Sequence, residues 1–249
     1  MTSPFIVRRV SFDAAIIDLD GTLLDTLGDF VAALERLRLD LAARGFTSEP
    51  FTAALVEPMV GKGANKLVQA ALDCLLASNA DVAVISKPYG AINSVANHAW
   101  ACCRYQLHYQ AVNGQHARLY PGVLAGLQAL QGAGVAMACV TNKPLAFALE
   151  LLALFGLAEF FGPVFGGDSF ERKKPDPLPL LKACEALGTS PARTLMLGDS
   201  SNDAQAARAA GCPVVLVSYG YNHGLPVRAV DADGVVDSLA QLLPPVVAI

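Results

Sequence analysis

Apolar and polar residues alternate in two different ways along this chain, and the difference predicts two kinds of structure. An apolar run over residues 14–17 has the length of a buried strand and ends at polar residues. From about residue 28 to residue 109, apolar residues instead recur every three or four positions, which is typical of helices. The first of these helices shows the spacing in Phe30, Leu34, Leu37 and Leu41. We therefore expect one strand followed by a long block that contains helices.

The pattern changes again after Tyr120-Pro121-Gly122, where short apolar runs begin to alternate with helical segments. Strands are predicted at residues 135–140, 164–165, 194–197, 214–217 and 234–236. Helices are predicted at residues 123–131, 145–154, 178–187 and 204–210. Such alternation indicates a Rossmann-like α/β fold, in which a parallel sheet carries helices on both faces.

The order of these segments predicts an insertion. The helical block separates the first strand from all the others, so we expect residues 1–26 and 111–249 to form an α/β core and residues 27–110 to form an all-helical cap. Residues 78–90 are the least regular part of the block and are expected to form a loop.

Composition and charge narrow the class of protein. Hydrophobic residues make up 53% of the chain and charged residues 16%, which is enough to build a large core. The net charge of -4 and the lack of a basic run argue against nucleic acid or an anionic membrane as a partner. The six cysteines form no C-x-x-C pair and residues 1–10 show no signal-peptide pattern, so we expect reduced thiols and a cytoplasmic protein. For the oligomeric state, a monomer and a homodimer are both left open by the sequence.

Two carboxylates one residue apart, Asp18 and Asp20, follow the first strand, and Gly21 permits a turn directly after them. Neighbouring negative charges at the end of a buried strand repel each other and lose hydration, so a cation must compensate them. A metal ion beside a free carboxylate suggests phosphoryl transfer. The alternative is an ordinary strand end in which Asp20 caps a turn.

Polar residues also follow the second predicted strand, where Thr141 and Asn142 precede a helix. A hydroxyl group and a backbone N–H at that point suit a phosphate oxygen. The alternative is that Thr141 only caps the following helix.

Lysines follow the third predicted strand of this series, in the segment Lys173-Lys174-Pro175-Asp176-Pro177. The prolines restrict the backbone, and Lys174 adjoins them. We therefore expect Lys174, and not Lys173, to be the lysine that points at the aspartates. A solvated basic turn is the alternative.

The run Gly198-Asp199-Ser200-Ser201-Asn202-Asp203 follows the next predicted strand. Asp199 supplies a third carboxylate for a magnesium ion, which prefers oxygen ligands. Asp203 either belongs to a helix capping box or accepts a bond from Lys174 or a metal-bound water.

Taken in order, these residues resemble the four motifs of the haloacid dehalogenase superfamily. The motifs are Asp18-x-Asp20-Gly21-Thr22, Thr141, Lys174 and Gly198-Asp199-x-x-x-Asp203. The second aspartate of the first motif is typical of the phosphatases and mutases of that superfamily, and the inserted block resembles its helical cap.

Seven segments, three of which contain motifs named above, resemble the bacterial phosphoglycolate phosphatases. They are Tyr120-Pro121-Gly122-Val123, Thr141-Asn142-Lys143-Pro144, Gly166-Gly167-Asp168, Lys174-Pro175-Asp176-Pro177, Gly198-Asp199-Ser200-x-Asn202-Asp203, Ala210-Gly211-Cys212-Pro213 and Tyr219-Gly220-Tyr221-Asn222.

The resemblance implies a mechanism. Asp18 is expected to attack phosphorus and form an aspartyl phosphate, while Asp20 serves as the general acid and then the general base. The same resemblance implies Mg²⁺ bound by Asp18, Asp199 and the backbone carbonyl of Asp20. It also implies phosphate oxygens bound by Thr141, the N–H of Asn142, and Lys174.

The resemblance implies a small phosphate ester as substrate. The first candidate is 2-phosphoglycolate, which would be converted to glycolate and phosphate. The segment Val60-Gly61-Lys62-Gly63-Ala64 resembles the substrate loop of the family, although asparagine is more usual at position 62. Lys62, between Gly61 and Gly63, is the first candidate to bind the substrate carboxylate. Lys66 and Arg104 are the next candidates. The alternatives are a phosphatase for a sugar phosphate or a nucleotide, a phosphomutase, and a receiver-like phosphate-binding signalling domain.

Overall fold

The computed structural model describes residues 12–46, 48–78 and 94–242. The chain divides into two compact units, Met1–Asp25 with Arg118–Ile249, and Thr26–Ala117. We call the first the α/β unit and the second the helical unit. Apart from Ser78, the predicted loop at residues 78–90 lies outside the described residues, as do residues 1–10. The catalytic role of the α/β unit and the capping role of the helical unit stay predictions.

The α/β unit is built on a six-stranded sheet, and a separate pair of two-residue strands accompanies it. The strands are β1 Ala14–Ile17, β2 Leu24–Asp25, β3 Arg118–Leu119, β4 Ala136–Val140, β5 Val164–Phe165, β6 Thr194–Gly198, β7 Val214–Val217 and β8 Gly234–Val236. The sheet order is β5-β4-β1-β6-β7-β8, and all of its neighbours are parallel. This confirms the predicted α/β fold with a parallel sheet.

Eight α-helices connect and extend these strands in the described part of the chain. They are α1 Leu27–Ala42, α2 Ala53–Val56, α3 Ala64–Ser78, α4 Val95–Gln110, α5 Val123–Gly132, α6 Leu145–Leu154, α7 Leu178–Leu187 and α8 Ser201–Ala210. Helix α8 begins three positions before the predicted residue 204, because the polar residues that open it carry no apolar periodicity. In those same described residues, none of the helices combines the length and the apolar character needed to span a membrane.

Strand β1 lies at the centre of the sheet, and all four of its residues are buried. Ile16 pairs with Ala138 of β4 on one side and with Met196 of β6 on the other. These three side chains share one core cluster with Leu180 of α7 and Ala207 of α8, which cover this face. The carboxyl ends of β4, β1 and β6 therefore lie side by side at one edge of the sheet, which brings together the polar residues that follow them.

The helical unit is held together chiefly by the packing of α1 against α4. The rings of Phe30 and Tyr109 stack with centroids 5.5 Å apart. Asp40 of α1 accepts from Arg104 at 2.7 Å and lies 2.6 Å from a ring nitrogen of His108. These contacts bury the apolar side of α1, as the spacing of its leucines predicts.

Residues 111–117 belong to the helical unit because they bond to the start of α1. Asp29 accepts from the backbone N–H of Gly114 at 2.7 Å and from that of His116 at 2.8 Å. Both carboxylate oxygens of a fully buried aspartate are thus satisfied by the segment that leaves α4.

Candidate active site

Asp18 is the first residue after β1, and it continues the pairing of that strand. Its backbone N–H donates to the carbonyl of Leu197 in β6 at 2.9 Å. Its Oδ1 accepts from the N–H of Leu19 at 2.7 Å and lies 3.0 Å from Nζ of Lys174. Burial raises the pKa of Asp18 to about 7, and the nearby charge of Lys174 opposes that rise.

Asp20, two residues later, binds a different lysine. Nζ of Lys143 donates to Oδ1 of Asp20 at 2.8 Å and to its Oδ2 at 3.0 Å. Lys143 is buried, which is uncommon for a lysine unless its amino group has a partner. The two aspartates of the first motif therefore bind separate ammonium groups.

Gly21 allows the turn after Asp20 to pass close to the end of β6. Its φ of +84° is a left-handed conformation that favours glycine, and a Cβ at this position would lie 2.0 Å from Oδ2 of Asp199. The next residue, Thr22, donates from its hydroxyl to Oδ1 of Asp199 at 3.3 Å. The first motif thus helps to hold the carboxylate that follows β6.

Asp199 is buried directly after β6, and the loop after β7 also holds it. The backbone N–H of Tyr221 donates to its Oδ2 at 2.6 Å. Burial raises the pKa of Asp199 well above its ordinary value, and the charges of Asp203 and Asp18 raise it further. A carboxylate in this position favours a nearby cation.

Lys174 lies among these aspartates. Its Nζ donates to the carbonyl of Val140 at 2.7 Å and to Oδ1 of Asp203 at 2.6 Å, in addition to its 3.0 Å contact with Asp18. Burial disfavours the ammonium form, but the charges of Asp18 and Asp203 outweigh that effect and raise the pKa of Lys174. The buried Lys174, rather than the half-buried Lys173, faces the aspartates.

Asp203 takes part in both of the arrangements considered for it. Its Oδ2 accepts from the N–H of Ser200 at 3.1 Å and from the hydroxyl of Ser200 at 2.8 Å, within the capping box of α8. Its Oδ1 binds Lys174. The side chain therefore connects the start of α8 to the buried lysine.

Thr141 and Asn142 follow β4 and lie between that strand and α6. The hydroxyl of Thr141 accepts from the N–H of Lys143 at 3.2 Å, and the side-chain amide of Asn142 donates to the carbonyl of Lys174 at 2.9 Å. Thr141 is not the N-cap of α6, since that position is Pro144. Asp168 instead accepts from the first N–H of the helix at 2.8 Å.

With this geometry described, comparison with known proteins places the chain in a family. A family model described as haloacid dehalogenase-like hydrolase matches residues 12–211. The chain belongs to the haloacid dehalogenase-like hydrolases. This confirms the resemblance drawn from the four motifs, and it rules out the receiver-like signalling domain as the class of this protein.

Relatives of this hydrolase cover nearly all of its length. It is 42% identical over 228 residues to the phosphoglycolate phosphatase of Thiobacillus denitrificans, covering 92% of each chain. It is 41% identical over 229 residues to the plasmid-encoded phosphoglycolate phosphatase of Cupriavidus necator, covering 92% of this chain and 90% of that one.

Among solved structures, a predicted phosphoglycolate phosphatase from Haemophilus somnus is similar in fold. The TM-score is 0.82 at 30% identity, and the match covers 94% of this chain and 97% of that one.

The carboxylates of this hydrolase fit a divalent cation. Oxygens of Asp18, Asp199 and Asp203 lie within 4.8 Å of one another, and all three residues are buried. The four carboxyl groups at this edge of the sheet, Asp20 included, outnumber the two amino groups of Lys143 and Lys174, so a further cation favours their ionised forms. The side chain of Asp20 is not part of the three-carboxylate cluster.

Sequence reasoning missed three contributors to this site. Lys143 stands inside a segment that the family resemblance quotes, but it was not singled out. Thr22 and Tyr221 also bind the site carboxylates, through a hydroxyl and a backbone N–H. The sequence signal for Lys143 is its place directly after two phosphate-binding candidates, whereas a backbone donor such as that of Tyr221 leaves no mark in the sequence.

The substrate-binding candidates of the helical unit lie just before α3. Gly61 and Gly63 have φ values of +101° and +84°, and Lys62 between them is exposed. Lys66, in the first turn of α3, is exposed as well. Arg104 is bound to Asp40 within the same unit.

Proposed function

We propose that this hydrolase is a Mg²⁺-dependent phosphatase of small phosphate monoesters that acts through an aspartyl phosphate, with 2-phosphoglycolate as its first candidate substrate. The observation that carries the proposal is the position of Asp18. This buried carboxylate lies against the ammonium of Lys174 and next to the carboxylates of Asp199 and Asp203. Such a group can attack phosphorus only where cations offset the charge of the phosphate.

In the first chemical step, an oxygen of Asp18 forms a bond to phosphorus as the ester P–O bond breaks. The leaving alkoxide takes a proton from the carboxyl group of Asp20. In the second step, Asp20 takes a proton from a water molecule that attacks the same phosphorus. This attack releases inorganic phosphate and restores Asp18.

Three groups bind the phosphoryl oxygens in this proposal, where charge spreads in the transition state. The hydroxyl of Thr141 and the N–H of Asn142 lie at the end of β4, beside β1. Lys174 lies 3.0 Å from Asp18 and supplies a fixed positive charge.

Asp18, Asp199 and the backbone carbonyl of Asp20 would hold the Mg²⁺, which polarises the phosphoryl group and offsets its charge. The mutual approach of the buried carboxylates within 4.8 Å supports Asp18 and Asp199 as ligands, whereas the carbonyl of Asp20 rests on the family resemblance. Asp203 is bound to Lys174 and the start of α8, so we assign it to positioning Lys174.

The names of the relatives support 2-phosphoglycolate as substrate, because this chain is 42% identical to one phosphoglycolate phosphatase over 228 residues. A substrate that carries a carboxylate needs a second cation, and we propose the exposed Lys62 for it, held between Gly61 and Gly63. Sugar phosphates and nucleotides remain the alternative substrates.

We further propose that the enzyme works in the cytoplasm on small molecules rather than on nucleic acid. All six cysteines are free thiols, which suits a reducing compartment, and the net charge of -4 disfavours binding to polyanions.

The experiment that tests this function measures phosphate release from a panel of esters, with Mg²⁺ and with a chelator. The panel contains 2-phosphoglycolate, several sugar phosphates, nucleoside monophosphates and p-nitrophenyl phosphate. We expect Mg²⁺-dependent release that strongly favours 2-phosphoglycolate. Preference for another ester would keep the mechanism and reject the substrate, whereas no release from any ester would reject the function.

A further inference from the structure

We propose that Lys143 is the positioning residue for the general acid and base Asp20. The inference rests on the proposed function, because it assigns a partner to the residue that moves the proton. It concerns a lysine that neither the four motifs nor the phosphate-binding set contains.

The contact between the two side chains is close and shielded. Nζ of Lys143 lies 2.8 Å from Oδ1 and 3.0 Å from Oδ2 of Asp20, so it binds both oxygens of the carboxylate. The side chain of Lys143 is 2% exposed and that of Asp20 is 12% exposed. An ammonium bonded to both oxygens restricts rotation of the carboxylate, and low exposure limits competition from water.

The backbone of Lys143 is itself fixed, so the lysine can orient another group. Its N–H donates to the hydroxyl of Thr141 at 3.2 Å, and its carbonyl accepts from the N–H of Gly167 at 2.8 Å. A Cβ at Gly167 would lie 2.3 Å from the carbonyl oxygen of Asn142, so the two loops pass each other without space for a side chain. Pro144, with its restricted φ, follows Lys143 directly.

The topology explains why this lysine reaches Asp20. Lys143 follows β4, and β4 is the neighbour of β1 in the sheet. Lys174 binds Asp18 and Asp203 instead. Each aspartate of the first motif thus has its own lysine: Lys174 binds the nucleophile Asp18, and Lys143 binds the general acid and base Asp20.

A simple structural ion pair would predict a different result from a positioning role. If Lys143 only stabilises the fold or binds phosphate, its loss affects all esters alike. If it aligns Asp20, its loss matters most where the leaving group needs a proton. Alkyl phosphates such as 2-phosphoglycolate leave as basic alkoxides, whereas p-nitrophenyl phosphate leaves as a stable phenolate.

The test is a double-mutant cycle with Lys143→Met and Asp20→Asn, measured as kcat/KM on the best alkyl phosphate and on p-nitrophenyl phosphate. This ratio reports the steps up to departure of the leaving group, so the second hydrolytic step does not mask the effect. We expect Lys143→Met to lower kcat/KM by about 10²-fold on the alkyl ester and by about tenfold or less on p-nitrophenyl phosphate. In the Asp20→Asn background, the same change should alter kcat/KM by less than about twofold.

Two further variants guard against misfolding and nonspecific charge effects. Lys143→Gln keeps a donor without the charge, and we expect it to show the same difference between the two esters if Lys143→Met fails to fold. Lys182→Met is the matched control, since Lys182 is an exposed lysine of α7 bonded to Glu185 at 2.8 Å. It should retain wild-type kcat/KM on both esters.

The possible failures are distinguishable. Equal losses on both esters, or losses that add fully to those of Asp20→Asn, would overturn the role of Lys143 and leave the phosphatase in place. Wild-type activity of Lys143→Met on both esters would also overturn the role of Lys143 and leave the phosphatase in place. Wild-type activity of Asp20→Asn would overturn both the role of Asp20 and that of Lys143.

Discussion

Single residues at this site are shaped by close approach between two strand ends. Gly21 lies so near Asp199 that any side chain would overlap the carboxylate. Asp18 is buried against Lys174, and its burial is the main reason for its raised pKa. Each aspartate therefore has its own surroundings, although all lie at one edge of the sheet, and different surroundings can give similar residues different roles.

The first prediction concerns the nucleophile. Asp18→Asn removes the attacking oxygen anion but keeps the size of the side chain, so kcat should fall by at least about 10⁴-fold. Because burial disfavours the charged carboxylate, the neutral amide should leave the free energy of unfolding near pH 7 equal or higher when no metal is present. Steady-state phosphate release and thermal denaturation in chelator measure the two effects. Substantial turnover by a pure Asp18→Asn preparation would remove Asp18 from its assigned role.

At the scale of elements, the junction of β6 and α8 places the buried charges. Asp203 lies in the first turn of α8, where it binds Ser200 and also Lys174. The capping contacts of a helix thus help to orient a lysine on another segment, which ties the stability of α8 to the geometry of the site.

The second prediction tests this link. Ser200→Ala removes the hydroxyl that donates to Asp203 at 2.8 Å, so the free energy of unfolding should fall by about 1 kcal/mol. Because Asp203 is then less well aligned with Lys174, kcat should fall by about fivefold.

Thr52→Ala is the matched control for that change. Thr52 accepts from the N–H of Leu55 at 3.3 Å at the start of α2, in the helical unit. It should lose comparable stability with no change in kcat. If Ser200→Ala keeps wild-type kcat, the lysine is aligned without help from the cap.

A third prediction concerns the turn that precedes α3. Lys62→Ala should raise KM for 2-phosphoglycolate by about tenfold, since it removes the cation proposed for the carboxylate. KM for a phosphate ester without a carboxylate should change by about twofold or less. Lys182→Ala changes an exposed lysine of α7 that is no substrate-binding candidate, so it serves as the control with nearly unchanged KM for both esters. Equal increases for both esters would reject Lys62 as the carboxylate-binding residue.

At the scale of the whole molecule, the buried acids link stability to pH and to the metal. Asp18 and Asp199 have raised pKa values when folded, whereas an unfolded aspartate ionises near pH 3.9. Between about pH 4 and about pH 7 the folded state therefore binds more protons than the unfolded state, so stability falls as pH rises. Asp40 behaves oppositely. Burial raises its pKa, but the hydrogen bonds with Arg104 and His108 outweigh burial and lower it. The contribution of Asp40 to stability is therefore present above about pH 4 and is lost at lower pH.

The fourth prediction follows from this balance. In chelator, the free energy of unfolding should decrease from about pH 5 to about pH 7, and the decrease should be smaller in Asp18→Asn, a comparison that cancels the contributions of groups remote from Asp18. Mg²⁺ should restore stability more strongly at pH 7 than at pH 5, since its ligands must be ionised. Denaturant titration at both pH values measures this. A wild-type slope identical to that of Asp18→Asn would contradict the assigned shift.

Much of the fold follows from local patterns in the sequence. The predicted runs at residues 164–165, 214–217 and 234–236 match β5, β7 and β8, and residues 145–154 and 178–187 match α6 and α7. Strands β2 and β3 were not predicted, because a two-residue strand has no periodicity of its own. The start of α8 was placed too late, because capping residues are polar and follow no apolar repeat.

The element order, the family resemblance and the set of residues at the strand ends can be read from local patterns along the chain, because apolar runs, glycines and prolines act over a few neighbouring residues. Which lysine binds which carboxylate depends on the three-dimensional packing. Lys143, which follows β4, binds Asp20, and Lys174, which follows β5, binds Asp18, although β4 and β5 lie on the same side of β1 in the sheet. A lysine side chain is long enough to reach several acids, so only the three-dimensional packing selects its partner.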